Sequence, residues 1–136
     1  MVYQKEILLP PFHRGFHLIS DLIAREIGFM PESGLLNIFL RHTSAALSLN
    51  ENADPDVRAD LESFSNKLIP ENHPVYTHTL EGPDDMPAHI KSSVFGTSLN
   101  IPITNGNLNL GTWQGIYLCE FRNNPGRRKL VITIIY

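Results

Sequence analysis

Three histidines, His42, His78 and His89, fall between residues 42 and 89 in company with Asn50, Glu51, Asp54, Asp84 and Asp85. Imidazoles change charge near neutral pH, and beside carboxylates they form metal sites and acid–base pairs. His42 follows an apolar segment and precedes Thr43 and Ser44, so it sits at a strand end, held rigidly yet able to reach a cleft. A half-buried histidine bonded to backbone fits the same position. Asp85 and His89 are four apart, one turn on one helix face. Such a pair either orients the imidazole or offers both groups to a metal; the bland alternative is a capping aspartate below a surface histidine. Asp84 doubles the carboxylate at that helix start, where an anion such as phosphate also binds well. His78 lies in the alternating run Val75–Leu80, and alone it reads as an interior histidine. Together the three histidines make a zinc-type triad with an open fourth position, although their spacing matches no compact zinc motif.

Further polar candidates flank this stretch. Glu51 precedes a helix start and borders a polar pocket or a solvated loop. Gly111-Thr112-Trp113-Gln114-Gly115-Ile116 is an unusual strand, in which Gln114 is suited to an amide or a phosphate and Trp113 reads as core. Arg122 is placed to hold an anion bidentately, or simply to face outward with Glu120 from an edge strand. Arg14, in a turn before Gly15, is a weaker anion-binding candidate, and Lys91 is a further cation on the helix of His89. Cys119 alternates with aromatic residues and has no basic neighbour in sequence, the pattern of an inert core thiol. No glycine-rich phosphate loop, nucleophile elbow or dinucleotide fingerprint occurs.

These groups must be positioned by a small frame. The 136 residues, 42% of them hydrophobic, suit a single domain over 1–136 with one core. The net charge of −3 and a pI near 6.0 argue against a nucleic-acid partner, which calls for a basic face. With no membrane-length apolar run, no signal-type N-terminus and a single cysteine, the expectation is a soluble cytoplasmic protein without a membrane partner.

The periodicity predicts an opening strand over Val2–Leu9, a helix over His17–Ile27 closed by Gly28, and a buried strand over Gly34–Leu40 that delivers His42. Asp54-Pro55-Asp56 caps a helix whose Val57, Leu61, Phe64 and Leu68 recur at helical steps, ended by Pro70. A third helix runs from about Pro87 to Phe95, with Gly96 past its end. The remainder reads as β: Leu99, Ile101 and Ile103 alternate, Asn105-Gly106 forms a tight hairpin turn, Leu108–Arg122 returns as one long bulged strand, and Lys129–Tyr136 closes. Pro102 calls for an edge or a bulge. The order indicates an α+β fold with an antiparallel sheet.

Five segments carry a family resemblance. Arg14-Gly15-Phe16-His17, His42-Thr43-Ser44-Ala45-Ala46-Leu47, Asn50-Glu51-Asn52, Asp84 to Ser93 and Gly111 to Ile116 resemble the YjbQ family across nearly the whole chain. The resemblance implies an antiparallel β-sandwich of about seven strands with flanking helices, assembled as a homotrimer. It also implies a weak, secondary thiamine-phosphate synthase activity that joins a hydroxymethylpyrimidine diphosphate to a thiazole phosphate. By motif it favours His42, His78, Asp85 and His89 as the site, with Glu51 and Gln114 nearby.

The leading expectation is therefore a small cytoplasmic transferase acting on a phosphorylated small molecule. In it His42, Asp85 and His89 are catalytic, Arg14, Glu51, Lys91, Gln114 and Arg122 bind substrate, and His42, His78 and His89 hold a divalent metal, magnesium or zinc. The alternatives are a metal-assisted hydrolase and a non-catalytic binder of a phosphorylated metabolite.

Overall fold

Strands of alternating polarity build most of the chain, and the computed structural model describes all of residues 1–136. The strands are β1 (Val2–Leu8), β2 (Gly15–Leu18), β3 (Ser33–Leu40), β4 (Ala45–Glu51), β5 (Ser98–Thr104), β6 (Asn107–Leu108), β7 (Gln114–Glu120) and β8 (Lys129–Ile135). The helices are α1 (Ser20–Glu26), α2 (Pro55–Leu68) and α3 (Asp85–Phe95). One sheet has the order β1-β8-β3-β5-β6 and the other β2-β7-β4. Every pairing is antiparallel. This is the expected α+β sandwich with flanking helices, with eight strands once the two-residue β6 is included.

Strand alternation makes two cores. Leu36, Ile38, Leu40, Leu130, Ile132 and Ile134 of the larger sheet meet Ala45, Leu47, Ile116 and Leu118 of the smaller one. The opposite face of the smaller sheet buries Ala46, Tyr117, Cys119 and Phe121 with Phe16 and with Ala88 of α3. β7 is thus buried on both faces, consistent with its nearly continuous apolar sequence.

Several elements differ from expectation for local reasons. The helix expected over His17–Ile27 begins only at Ser20, because Gly15–Leu18 pairs with Tyr117–Glu120 as β2. Its helical-looking leucine spacing yields to tertiary pairing. Gly28 does not cap it in a left-handed conformation: the C-cap is Ile27, in extended backbone. β4 has no counterpart in the predicted order. Its alanines carry little strand propensity, but Ala46 lets the backbone lie close beneath Ala88 of α3. Leu108–Arg122 is not one strand. The chain leaves the larger sheet after β6 and enters the smaller at β7, so Gly111 lies in the crossing loop. Val75–Leu80 is irregular rather than extended.

Other readings hold. Asp54 caps α2, its side chain accepting from the Asp56 N–H at 2.8 Å. Asn105 and Gly106 both have positive φ, 51° and 73°, as a type I′ turn requires. The Pro102 carbonyl accepts from Asn109 outside the β3 pairing, so its ring nitrogen faces the weakly covered edge of β5.

Candidate functional site

All elements that carry the site end at one edge of the smaller sheet. β2, β4 and β7 meet there in the register Gly15↔Glu120↔Ala45. Thr43 precedes β4, Arg122 follows β7, and α3 begins beside them with Asp84 as N-cap.

Asp85 is the hub, with its side chain only 4% exposed. Its Oδ2 lies 2.7 Å from His78 Nε2 and 3.1 Å from His89 Nε2. Its Oδ1 accepts from Arg122 Nη1. The same guanidinium donates from Nε to Asp84 Oδ2 at 2.9 Å and from Nη2 to the Glu81 carbonyl at 3.1 Å. Asp84 Oδ2 also accepts the backbone N–H of Asn123 at 2.9 Å. Burial by itself would raise the Asp85 carboxyl. The hydrogen bond from His78 and the charges of His89 and Arg122 outweigh it and hold the group below the usual carboxylate range. Asp84 follows the same logic: burial opposes, while the Asn123 N–H and Arg122 prevail.

The tautomer of His89 decides what this cluster can do. Its Nδ1 lies 2.8 Å from the Thr43 carbonyl oxygen, which can only accept, so the ring hydrogen is on Nδ1. A neutral ring then turns the Nε2 lone pair toward Asp85 Oδ2, and two acceptors face each other at 3.1 Å. A cation between them, either a proton on Nε2 or a metal ion, reconciles the pair. The imidazole hydrogen-bonded to a carbonyl through its far nitrogen is the arrangement that orients metal-binding histidines. His78 Nε2, Asp85 Oδ2 and His89 Nε2 all lie within 4.8 Å of one another. Two imidazole nitrogens and one carboxylate oxygen match a zinc-class ion better than magnesium, which prefers oxygen ligands and its own water.

Two clefts flank these residues. One, of about 450 Å³, lies on the His89 side and is lined by Arg41, His42, Thr43, Ser92, Ser93 and Thr97. The other, of about 380 Å³, lies on the His78 side beside His73, Tyr76, Pro83 and Met86.

The expected residues distribute unevenly over this geometry. Asp85, His89 and His78 come together. His42 lines the first cleft but lies outside the grouping of His78, Asp85 and His89, so the three expected histidines do not converge. The reason is local: His42 Nε2 already accepts the Lys129 backbone N–H at 2.8 Å. Burial, then the charge of Arg128, lowers its pKa. Arg122 directs Nε, Nη1 and Nη2 hydrogen bonds to Asp84, Asp85 and the Glu81 carbonyl, so the anions it clamps in this chain are the protein's own carboxylates. Lys91 is fully buried, donating to Asn66 Oδ1 at 2.6 Å with its ammonium 5.5 Å from the centre of the Phe121 ring; it touches neither cleft. Arg14 is likewise engaged, donating to Glu71 at 2.7 Å and to Asn66 at 2.8 Å.

Glu51 and Gln114 pair at the far end of β4 and β7. They lie six steps along the strands from Ala45 and Glu120, roughly 20 Å at the usual rise, so this chain does not bring them to the histidines. Gln114 Oε1 instead closes the Gly111 turn at 2.8 Å. Trp113 on that turn is 64% exposed and not core. Glu120 is not outward either: it is fully buried and held by Arg128 at 2.6 and 2.7 Å. Sequence reasoning missed Asn123, the Thr43 carbonyl and the carboxamide Asn66. Backbone groups leave no residue-type signal, and Asn66 stands out only as a polar residue on the helix face opposite the apolar stripe.

Fold and site together define a class of small two-sheet α+β proteins with a His–Asp–His cluster at the end of the smaller sheet. Residues 5–136 match the family model described as UPF0047 protein YjbQ-like. The chain belongs to the YjbQ (UPF0047) family. It is 53% identical over 136 residues to UPF0047 protein YjbQ of Salmonella typhimurium, covering 98% of each chain. It is 43% identical over 118 residues to UPF0047 protein YugU of Bacillus subtilis, covering 83% of this chain and 86% of that one. A crystal structure of a YjbQ/UPF0047 protein of Clostridium acetobutylicum superposes with a TM-score of 0.83 at 40% identity, over 96% of this chain and 99% of that one. The conserved hypothetical protein TT1486 of Thermus thermophilus gives 0.80 at 34% identity, over 93% and 97%.

Proposed function

We propose that this chain is a metal-dependent transferase of the thiamine-phosphate synthase type, working on a phosphorylated small molecule and assembled as a homotrimer. The observation that carries the reading is the convergence of His78 Nε2, Asp85 Oδ2 and His89 Nε2, with His89 oriented through Thr43. In the coupling, a thiazole nitrogen forms a bond to the methylene carbon of the pyrimidine, the carbon–oxygen bond to the diphosphate breaks, and pyrophosphate departs with the bonding pair. The requirement is positive charge at the leaving group and fixed placement of the nitrogen. A zinc-class ion on the three ligands would supply such charge in a chain whose net charge is −3. Arg41 and the hydroxyls of Thr43, Ser92, Ser93 and Thr97 offer donors for phosphate oxygens beside it. His42, whose Nε2 accepts the Lys129 N–H and so leaves its ring hydrogen on Nδ1, lines the same cleft.

A metal-assisted hydrolase is the second reading, favoured by one observation. The His78 side chain is 46% exposed, so water reaches the ligand cluster. Assaying chelator-treated and zinc-reloaded protein with both heterocycles, then with the diphosphate alone, separates the readings. The proposal expects thiamine phosphate only with both substrates, lost on chelation and in His89→Ala. Pyrophosphate or phosphate release from one substrate alone would assign hydrolysis. Binding without turnover would assign a carrier of a phosphorylated metabolite.

A further inference from the structure

Arg14 enters the fold immediately before β2, where Gly15 pairs with Glu120 near the end of β7. Its guanidinium is fastened on one side to the region of α2: Nη1 donates to Glu71 Oε1 at 2.7 Å, Nη2 donates to Asn66 Oδ1 at 2.8 Å, and Nε lies 3.4 Å from Glu62 Oε1. Asn66 is fastened in turn, accepting Lys91 Nζ at 2.6 Å and donating to Glu62 at 3.0 Å. On its other side Arg14 Nη1 donates to Asn123 Oδ1 at 3.2 Å.

That last bond is the only side-chain tie from the ion cluster to the turn after β7. Asn123 is exposed and begins the Asn123–Gly126 turn. Its backbone N–H donates to Asp84 Oδ2, on which Arg122 Nε also converges. Arg122 then grips Asp85, and Asp85 carries both histidines. An unbroken run of hydrogen bonds, carried through Asn123, therefore leads from the half-buried Arg14 cluster to the His–Asp–His group.

We infer that Arg14 is a positioning residue for the His78–Asp85–His89 site, acting through Asn123 and the Asp84–Arg122 clamp rather than on substrate. The inference rests on the metal-site reading above. Groups that orient metal ligands from behind typically change affinity by about 10- to 100-fold, and Arg14, three hydrogen-bonded steps behind Arg122, is expected at the lower end of that range.

The test is zinc titration by calorimetry of the chelator-stripped full chain as wild type, Arg14→Gln, Asn123→Ala and Asn123→Asp. Arg14→Gln removes a partner of Glu62 and Glu71 and so strains the fold. Asn123→Ala leaves that ion cluster whole, and Asn123→Asp keeps the acceptor. The expected result is affinity weakened about tenfold in Arg14→Gln and Asn123→Ala, with near wild-type binding in Asn123→Asp. Equal affinity in all four proteins overturns the inference. If the wild type binds no zinc, the metal reading fails by itself, and the imidazole ¹H–¹⁵N spectrum of the metal-free proteins decides instead. Displaced His78 and His89 signals in Asn123→Ala, with His42 unmoved, support positioning; superposed spectra reject it.

Discussion

At the scale of single residues the site is a matter of which atom carries which hydrogen. Thr43 fixes His89 through a carbonyl, Lys129 fixes His42 through an N–H, and the two histidines consequently present opposite chemistry to the cleft between them. Acid should undo this arrangement in two stages. His42 and His17 are held below the ordinary value of 6.5, first by burial. The unfolded chain therefore binds more protons than the folded one as pH falls below 6.5, and stability drops there. Asp84 and Asp85 are held below 3.8, so their contribution is complete above that value and is lost as pH falls through their folded values. Denaturant midpoints measured from pH 8 downward should be flat, decline below 6.5 and decline again below 3.8; a midpoint rising between pH 7 and 5 would contradict the assignments. The residue scale was only partly legible in sequence. Asp85 and His89 declared themselves by helical spacing, but Arg122 binds the protein's own carboxylates and Lys91 points inward, and nothing in a residue's type distinguishes an ion pair within the fold from one with a ligand. Asp85 also serves the fold through Arg122, so Asp85→Asn, which keeps the shape, is a better probe of its charge than Asp85→Ala, which strips Arg122 of one of its two carboxylate partners.

At the scale of elements, α3 and β7 do most of the positioning. α3 starts at Asp85, so its first turn presents Asp85 and His89 together, and Gly96, with φ of 96°, releases the chain into β5. β7 spans the smaller sheet from the Trp113 turn to Arg122 and can lie flat only because Gly115 has no side chain. A Cβ there would meet Leu18 Cδ2 at 2.5 Å and Asn52 Cβ at 2.9 Å. The leucine can rotate, but the asparagine is tied to the Thr112 and Gln114 carbonyls. Gly115→Ala should therefore cost about 1–3 kcal/mol by overpacking, read as a lowered urea midpoint with an unchanged slope; unaltered stability would mean that β4 and β7 separate there without cost. Elements whose signals are local were legible: the capped α2, the Asn105-Gly106 hairpin, the short apolar run of β3, the alternating β5 and the closing β8. β2 and β4 were not, since a four-residue segment and an alanine-rich one become strands only through partners that sequence spacing does not reveal.

At the scale of the whole molecule one surface remains without a partner. The stripe Val57, Leu61, Phe64 and Leu68 predicts a helix that buries an apolar face, yet Phe64 and Leu68 are 66% and 65% exposed, as is Val94 of α3 at 64%. With Phe95 they line an open groove of about 810 Å³. An exposed apolar surface of this kind marks an association site, and it supports the proposed trimer. Light scattering should give a trimeric mass for the wild type and a monomeric one for Phe64→Glu with Leu68→Lys; a monomeric wild type would remove the assembly from the account. No helix is long and apolar enough to cross a membrane. The central claim remains the His–Asp–His centre, and elemental analysis of the untagged protein tests it most directly. The account predicts one zinc-class ion per chain in the wild type and none in a His78→Ala, His89→Ala double variant that keeps its fold. Metal absent from the wild type even after incubation with zinc, or retained undiminished by the double variant, would contradict it.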